Sequence, residues 1–331
     1  MPTYLYLATA VGLTIALQSN DDWRVIEKTL QGQSLTSIVI SSRTVLVGTQ
    51  DGIWRSIDNG QTWSKADTNL TIRHVRWIAK LPTFPATVLV GTEPAAVFVS
   101  TDDGRSWRIA PEVEKLRDRL GWFLPYSPEA GCVRGFAVAE SGPNATRVYA
   151  AVEVGGVLIS DDHGRTWYLA QGSDGNPAMD RELGNLIHPD VHSITVHPAS
   201  PDKVLAATGG GLYQSTDGGR SWKNIYRCYI RAVWVDPEDS RHIIAGPADG
   251  VSKNGRIEES RDGGNTWQPA FDGMPAPWPH HMVERFYPIG GQLFAVLSNG
   301  QLWAKPLDQS RWHHVLPQVT DIKALAIGDL Q

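Results

Sequence analysis

Apolar positions in this chain come in short bursts, each closed by a polar, glycine-containing turn. Runs such as GIWR (52–55), AVFV (96–99), GVLI (156–159) and GLYQ (211–214) have β-type composition and are too short for helices, so they predict strands. The text after them is nearly the same five times: SIDNGQTW (56–63), STDDGRSW (100–107), SDDHGRTW (160–167), STDGGRSW (215–222) and SRDGGNTW (260–267). A pattern Ser-x-Asp-x-Gly-x-Ser/Thr-Trp at this spacing is the signature of a repeat architecture.

Each copy reads as a hairpin turn. The Ser and Asp side chains accept backbone N–H groups within the turn, and the Gly supplies a positive φ. The Trp opens the next strand, large enough to wedge against a neighbouring unit while its indole N–H finds a partner. Two worn copies extend the series, SNDDW ending at Trp23 and LDQSRW ending at Trp312. The seven Trp anchors are separated by 40, 44, 60, 55, 45 and 45 residues. A blade of four short strands needs about 40–45 residues, so seven anchors predict seven blades and the two long gaps mark insertions.

These turns resemble the Asp-box, or BNR, repeat. That resemblance implies a β-propeller of four-stranded blades, with the box a structural element between the third and outermost strands. The expected fold is therefore all-β, one seven-bladed propeller domain over residues 1–331. The stretch YLYLATAVGLTIAL (4–17) reads as the second and third strands of blade 1, and DIKALAIG (321–328) resembles the first strands of the other blades. The C-terminal strand should thus join blade 1 and cover both open edges.

Composition narrows the partners. A net charge of −5, 20% charged residues and no basic stripe argue against nucleic acid. No apolar run reaches the eighteen or so residues of a spanning helix, so no membrane is expected. Two cysteines, Cys132 and Cys228, make no disulfide framework and fit a reducing, cytoplasmic setting. The alternative is export, if residues 1–17 act as a signal, although the basic n-region is missing and cleavage would remove strands the ring needs. P-loop, dinucleotide and nucleophile-elbow motifs are absent, as is any short zinc-type His/Cys spacing, so neither cofactor nor metal is expected. His192, His280, His281, Asp190 and Glu153 could nonetheless gather near the channel.

In propellers the first strand of each blade lines the central channel. Aligned here, these strands read SLTSIVI, HVRWIAKL, CVRGFAV, DVHSITV, YIRAVWV, MVERFYP and DIKALAI. One position, directly after the first apolar residue, is apolar in no blade: Thr36, Arg76, Arg134, His192, Arg231, Glu284 and Lys323. Like charges ~8 Å apart repel by about 2 kcal/mol at an effective dielectric of 20, so such a ring calls for anionic partners. At the end of the second strands stand Gln50, Glu93, Glu153 and Gly209 in blades 2 to 5. Glu93 and Glu153 either neutralise Arg76 and Arg134 or serve as carboxylates beside an anion site. Three insertions, about 110–131, 170–190 and 272–281, should crown the same face, bringing Trp122, Tyr126, Asp190 and His281 over the well, with a fourth loop at 246–255.

Three classes of Asp-box propeller offer comparisons. Sialidases hold a carboxylate with three arginines, as Arg76, Arg134 and Arg231 suggest, yet they have six blades and an early Phe/Tyr-Arg-Ile-Pro motif that is missing here. Xyloglucan-cleaving glycosidases pair two seven-bladed domains, and this chain has one. Photosystem II assembly factors match it in size and Arg-rich patch, but are normally exported or lipid-anchored. The leading expectation is a protein that binds an anionic small molecule, glycan or acidic peptide through Arg76, Arg134, Arg231, Glu284 and Lys323. The alternatives are a hydrolase or lyase on an acidic sugar, with Glu93, Glu153 and His192 as the catalytic groups, and an assembly scaffold docking a protein on its top-face loops.

Overall fold

The computed structural model describes residues 3–19, 22–123, 131–140 and 146–329. It is an all-β, seven-bladed propeller, each blade a four-stranded antiparallel sheet. Blade 2, for example, runs outward from Leu35–Ser41 through Thr44–Thr49 and Gly52–Ser56 to Ser64–Lys65. The inner strands of blades 3 to 7 are Val75–Lys80, Val133–Glu140, Val191–His197, Tyr229–Val235 and Val283–Ile289. Blade 1 closes the ring as the sequence predicted. Ile322–Asp329 is its inner strand and pairs antiparallel with Thr3–Thr9, Leu5 facing Ile327 and Leu7 facing Leu325.

Hydrophobic packing explains why the second strands look almost continuously apolar. Val88–Thr92 is buried at every position because both of its faces meet a neighbouring blade. Leu46 and Ile53 of blade 2 pack with Val75, Val90 and Phe98 of blade 3 and with Trp107. The blades come close enough that side chains run out of room. A Cβ on Gly91 would stand 2.6 Å from Val133 Cγ1, and one on Gly48 2.5 Å from Val75 Cγ1. Glycine at these two positions lets the next blade seat the valine that precedes Arg134 and Arg76.

The repeated turn is a closed hydrogen-bond unit. In blade 3, Ser100 Oγ donates to Asp102 Oδ1 (2.7 Å) and accepts from Gly104 N–H (2.9 Å). Asp102 Oδ2 accepts from the Ser106 hydroxyl (2.6 Å) and Oδ1 from the Ser106 N–H (3.0 Å). The same bonds recur around Asp58, Asp162, Asp217 and Asp262. The indoles divide. Those of Trp63, Trp167 and Trp267 donate to the glycine carbonyl of their own turn. Those of Trp107 and Trp312 reach the preceding blade, at the carbonyls of Ala66 and Ala270.

The first insertion holds an element that the expectation of a rim loop missed. Helix α1 spans Pro111–Leu120, with Pro in its first turn, Glu112 and Glu114 at the N-terminal end, and Gly121 in the left-handed region (φ 67°) after its last turn. It is the only α-helix among the described residues.

Candidate functional site

The seven aligned positions share one backbone cause. In each inner strand the ladder slips by one residue where they sit: between Leu35 and Ser37, Val75 and Trp77, Val133 and Gly135, Val191 and Ser193, Ile230 and Val233, Val283 and Arg285, and opposite Ala8 and Thr9 at Lys323. A β-bulge leaves its extra residue unpaired and re-aims the side chain. Polar residues follow an apolar one at this point because the bulge turns them out of the blade interface.

A cavity of about 480 Å³ opens at the channel mouth. Thr36, Arg76, Arg134, Arg231, Glu284 and Lys323 line it, together with Gln50, Glu93 and Glu153 from the second strands. Most of the charges are paired. Arg76 Nη1 lies 3.3 Å from Glu93 Oε2, and Arg134 Nη1 lies 3.4 Å from Glu153 Oε1. Glu284 of blade 7 spans the channel mouth, reaching Arg134 Nη2 of blade 4 at 3.6 Å and bonding Arg231 Nη1 of blade 6. Burial pushes the Glu284 carboxyl up, but Arg231 and Arg134 outweigh it and hold it below the ordinary carboxylate range. Glu153 behaves likewise, with Arg134 the main cation and the Cys132 thiol donating to it at 3.0 Å.

The residue beneath this level was missed by sequence reasoning. Arg285 follows the bulge of blade 7 and crosses the channel, where Nη2 donates to the Arg134 carbonyl of blade 4 (2.8 Å). Its guanidinium stacks 4.2 Å from the centre of the Trp77 ring. No described carboxylate lies within ion-pair distance of it, and burial pulls it down to about 10. Two signals pointed to it. In the other blades the position after the ring residue holds Ser37, Trp77, Gly135, Ser193, Ala232 and Ala324, so Arg285 alone is charged there. Gly135 also vacates the space opposite, where a Cβ would stand 3.4 Å from Arg285 Nη1. Among the described residues the lining thus carries five cations (Arg76, Arg134, Arg231, Arg285 and Lys323) against three carboxylates (Glu93, Glu153 and Glu284).

Several expected residues stand elsewhere. His192 occupies a bulge but is buried, with Nδ1 on the Ile230 carbonyl (2.8 Å) and Nε2 3.0 Å from Asp190 Oδ1. Glu153, Asp190 and His192 do converge, their nearest donor atoms all within 4.8 Å of one another. Trp122 is not a ligand-facing aromatic. It is fully buried in the core between blades, and its indole donates to Gly175 O (2.8 Å), pinning the first insertion to the second. His281 stacks on Trp278 with ring centres 5.3 Å apart and does not line the cavity. Tyr126 lies outside the described residues.

Fold and site together define a single propeller with a cationic well at one end of its channel. No protein-family model matches the chain. By sequence it is similar to the xyloglucanase Xgh74A of Acetivibrio thermocellus, 25% identical over 229 residues, which cover 59% of this chain and 25% of the enzyme. The chain therefore spans about a quarter of the length of that curated relative. Among solved structures, an ancestral GH74 enzyme superposes with a TM-score of 0.64 at 16% identity, covering 93% of this chain and 40% of the enzyme. YCF48 bound to D1 peptide superposes with a TM-score of 0.57 at 14% identity, covering 88% of this chain and 86% of YCF48. At these identities the structural likenesses speak for the fold.

Proposed function

We propose that this propeller is a protein-binding module that takes a carboxylate of an acidic peptide segment into its well. The observation that carries the reading is Arg285, a cation on the channel axis with no described carboxylate within ion-pair reach, beside a second one, Lys323. A bound carboxylate would supply the charge these two lack, in a site where Arg76, Arg134 and Arg231 are already oriented by Glu93, Glu153 and Glu284. YCF48, solved with a bound D1 peptide, matches this chain over 88% of its length and 86% of YCF48.

The glycosidase reading draws support from the xyloglucanase relatives. Against it, a general acid needs a carboxyl that stays protonated near neutral pH. Burial raises both Glu153 and Glu284, yet their arginine partners outweigh it and keep them ionised.

The test is fluorescence anisotropy with acidic peptides and their amidated counterparts. Binding should require the carboxylate, weaken with salt, and fall by about 10- to 100-fold in Arg285→Met. Equal affinity for the amidated peptide would overturn the proposal. Turnover of xyloglucan oligosaccharides that disappears in Glu153→Gln would favour the enzyme instead.

A further inference from the structure

Among the described residues, two buried histidines are flanked by paired acids, and their geometries differ. At His242 the carboxylates stand on opposite ring nitrogens, Asp236 Oδ2 at Nδ1 (3.0 Å) and Glu259 Oε2 at Nε2 (3.3 Å). Each carboxylate there faces a ring nitrogen of its own. At His192 one nitrogen is spent on the backbone, since the Ile230 carbonyl can only accept and Nδ1 must therefore carry a proton. Everything else crowds the other nitrogen. Asp190 Oδ1 is 3.0 Å from Nε2, and a Glu153 oxygen lies within 4.8 Å of both. The Tyr229 hydroxyl is 3.4 Å away, long for a hydrogen bond, and already accepts from Arg231 Nε. Both carboxylates therefore approach the ring from the same side.

We infer that Glu153, Asp190 and His192 form a binding site for a divalent transition-metal ion of the zinc type. With Nδ1 protonated, the neutral ring presents its Nε2 lone pair on the side where Asp190 Oδ1 and a Glu153 oxygen lie, and one ion there can take a ligand atom from each of the three residues. A ring N–H donated to a backbone carbonyl is the usual outer contact of a metal-bound histidine, because it fixes the tautomer and the ring orientation. Ligand atoms about 2.0–2.2 Å from a shared ion stand roughly 3–4 Å apart, so the side chains need only a small inward shift. Arg134 holds the Oε1 edge of Glu153 and the Cys132 thiol donates to Oε2, which orients this carboxylate as outer contacts do. Glu153 also lines the well, which places the three residues at the wall of the cavity. One histidine with two carboxylates suits Zn²⁺ or Co²⁺ better than Ca²⁺ or Mg²⁺. This assignment is independent of what the well binds.

The experiment is a Co²⁺ titration of the chelator-treated full chain, read by its d–d absorption, with Zn²⁺ as competitor. One Co²⁺ per chain with a tetrahedral or five-coordinate spectrum, displaced by Zn²⁺, is the expected result. Asp190→Asn and, separately, Glu153→Gln should each weaken it by at least roughly 10-fold. A double change of exposed histidines, His280→Ala with His313→Ala, should leave it intact. Absence of the one-equivalent band in the unsubstituted protein overturns the inference, whatever the variants do. Equal Co²⁺ affinity in a folded Asp190→Asn protein overturns it as well.

Discussion

At the scale of single residues, the proposed function makes Arg285 a place where binding is set against stability. A guanidinium held at about 10 by burial is a cation the folded state accommodates at a cost. Its folded value lies below the unfolded one, so the penalty is fully present below about pH 10 and is relieved as pH rises from there toward the unfolded value. Arg285→Met keeps the length of the side chain without the charge. We expect a fold that is as stable as the original or more so, by up to about 2 kcal/mol, in urea unfolding at pH 7, while peptide affinity drops. A marked loss of stability would mean that the stacking on Trp77 and the bond to the Arg134 carbonyl hold the ring together. The ring positions could be read from sequence because a bulge leaves a trace, a polar residue directly after an apolar one in seven strands. His192 shows the limit of that trace. Its position is right, but its side chain turns sideways to the next blade, as Thr36 also does onto the Val75 carbonyl. Trp122 illustrates a different gap, since an aromatic that pins a loop and one that grips a ligand look alike in sequence.

At the scale of elements, the recurring turn is the unit of local stability. In Asp58 the Thr62 hydroxyl and N–H hold the carboxyl at about 2. In Asp102 burial pushes the other way, yet Ser106 and Ser100 still bring it to about 2. Asp262 is held at about 2 by the Thr266 N–H and hydroxyl. These folded values lie below the ordinary 3.8, so the stability they contribute is present above about pH 4 and is lost as pH falls toward 2. Tryptophan fluorescence should therefore report unfolding within that window, and a transition complete above pH 5 would contradict the assignment. Asp102→Ala should cost about 1–3 kcal/mol, seen in thermal or urea denaturation, because it removes the charged acceptor shared by the Arg105 N–H, the Ser106 N–H and the Ser106 hydroxyl. The turns were legible since their chemistry is local. Helix α1 is marked in the sequence by Pro111, its acidic first turn and Gly121, but it interrupts a strand repeat whose period does not announce it.

At the scale of the molecule, tryptophan spacing disclosed the blade number because each blade is one repeat of nearly fixed length. It could not disclose a function, since one propeller scaffold serves hydrolases and peptide binders alike. The well is legible only in part for the same reason: its walls are set by register, but Arg285 and the bridge made by Glu284 depend on blades 4 and 7 facing each other across the axis. Ring closure gives the global prediction. Deleting residues 321–331 removes the inner strand of blade 1 and bares the edge of Thr3–Thr9. The shortened chain should unfold at lower urea concentration and associate on size-exclusion chromatography; an unchanged, monodisperse profile would refute a structural role for closure.

That same closing strand carries Lys323, roughly three hundred residues downstream of the strand it clasps. A chain still emerging from the ribosome with only six blades could not offer a peptide of the proposed kind a finished docking cup. Recognition would then start only after translation has passed this point, and grip on the partner would certify that the toroid had been sealed.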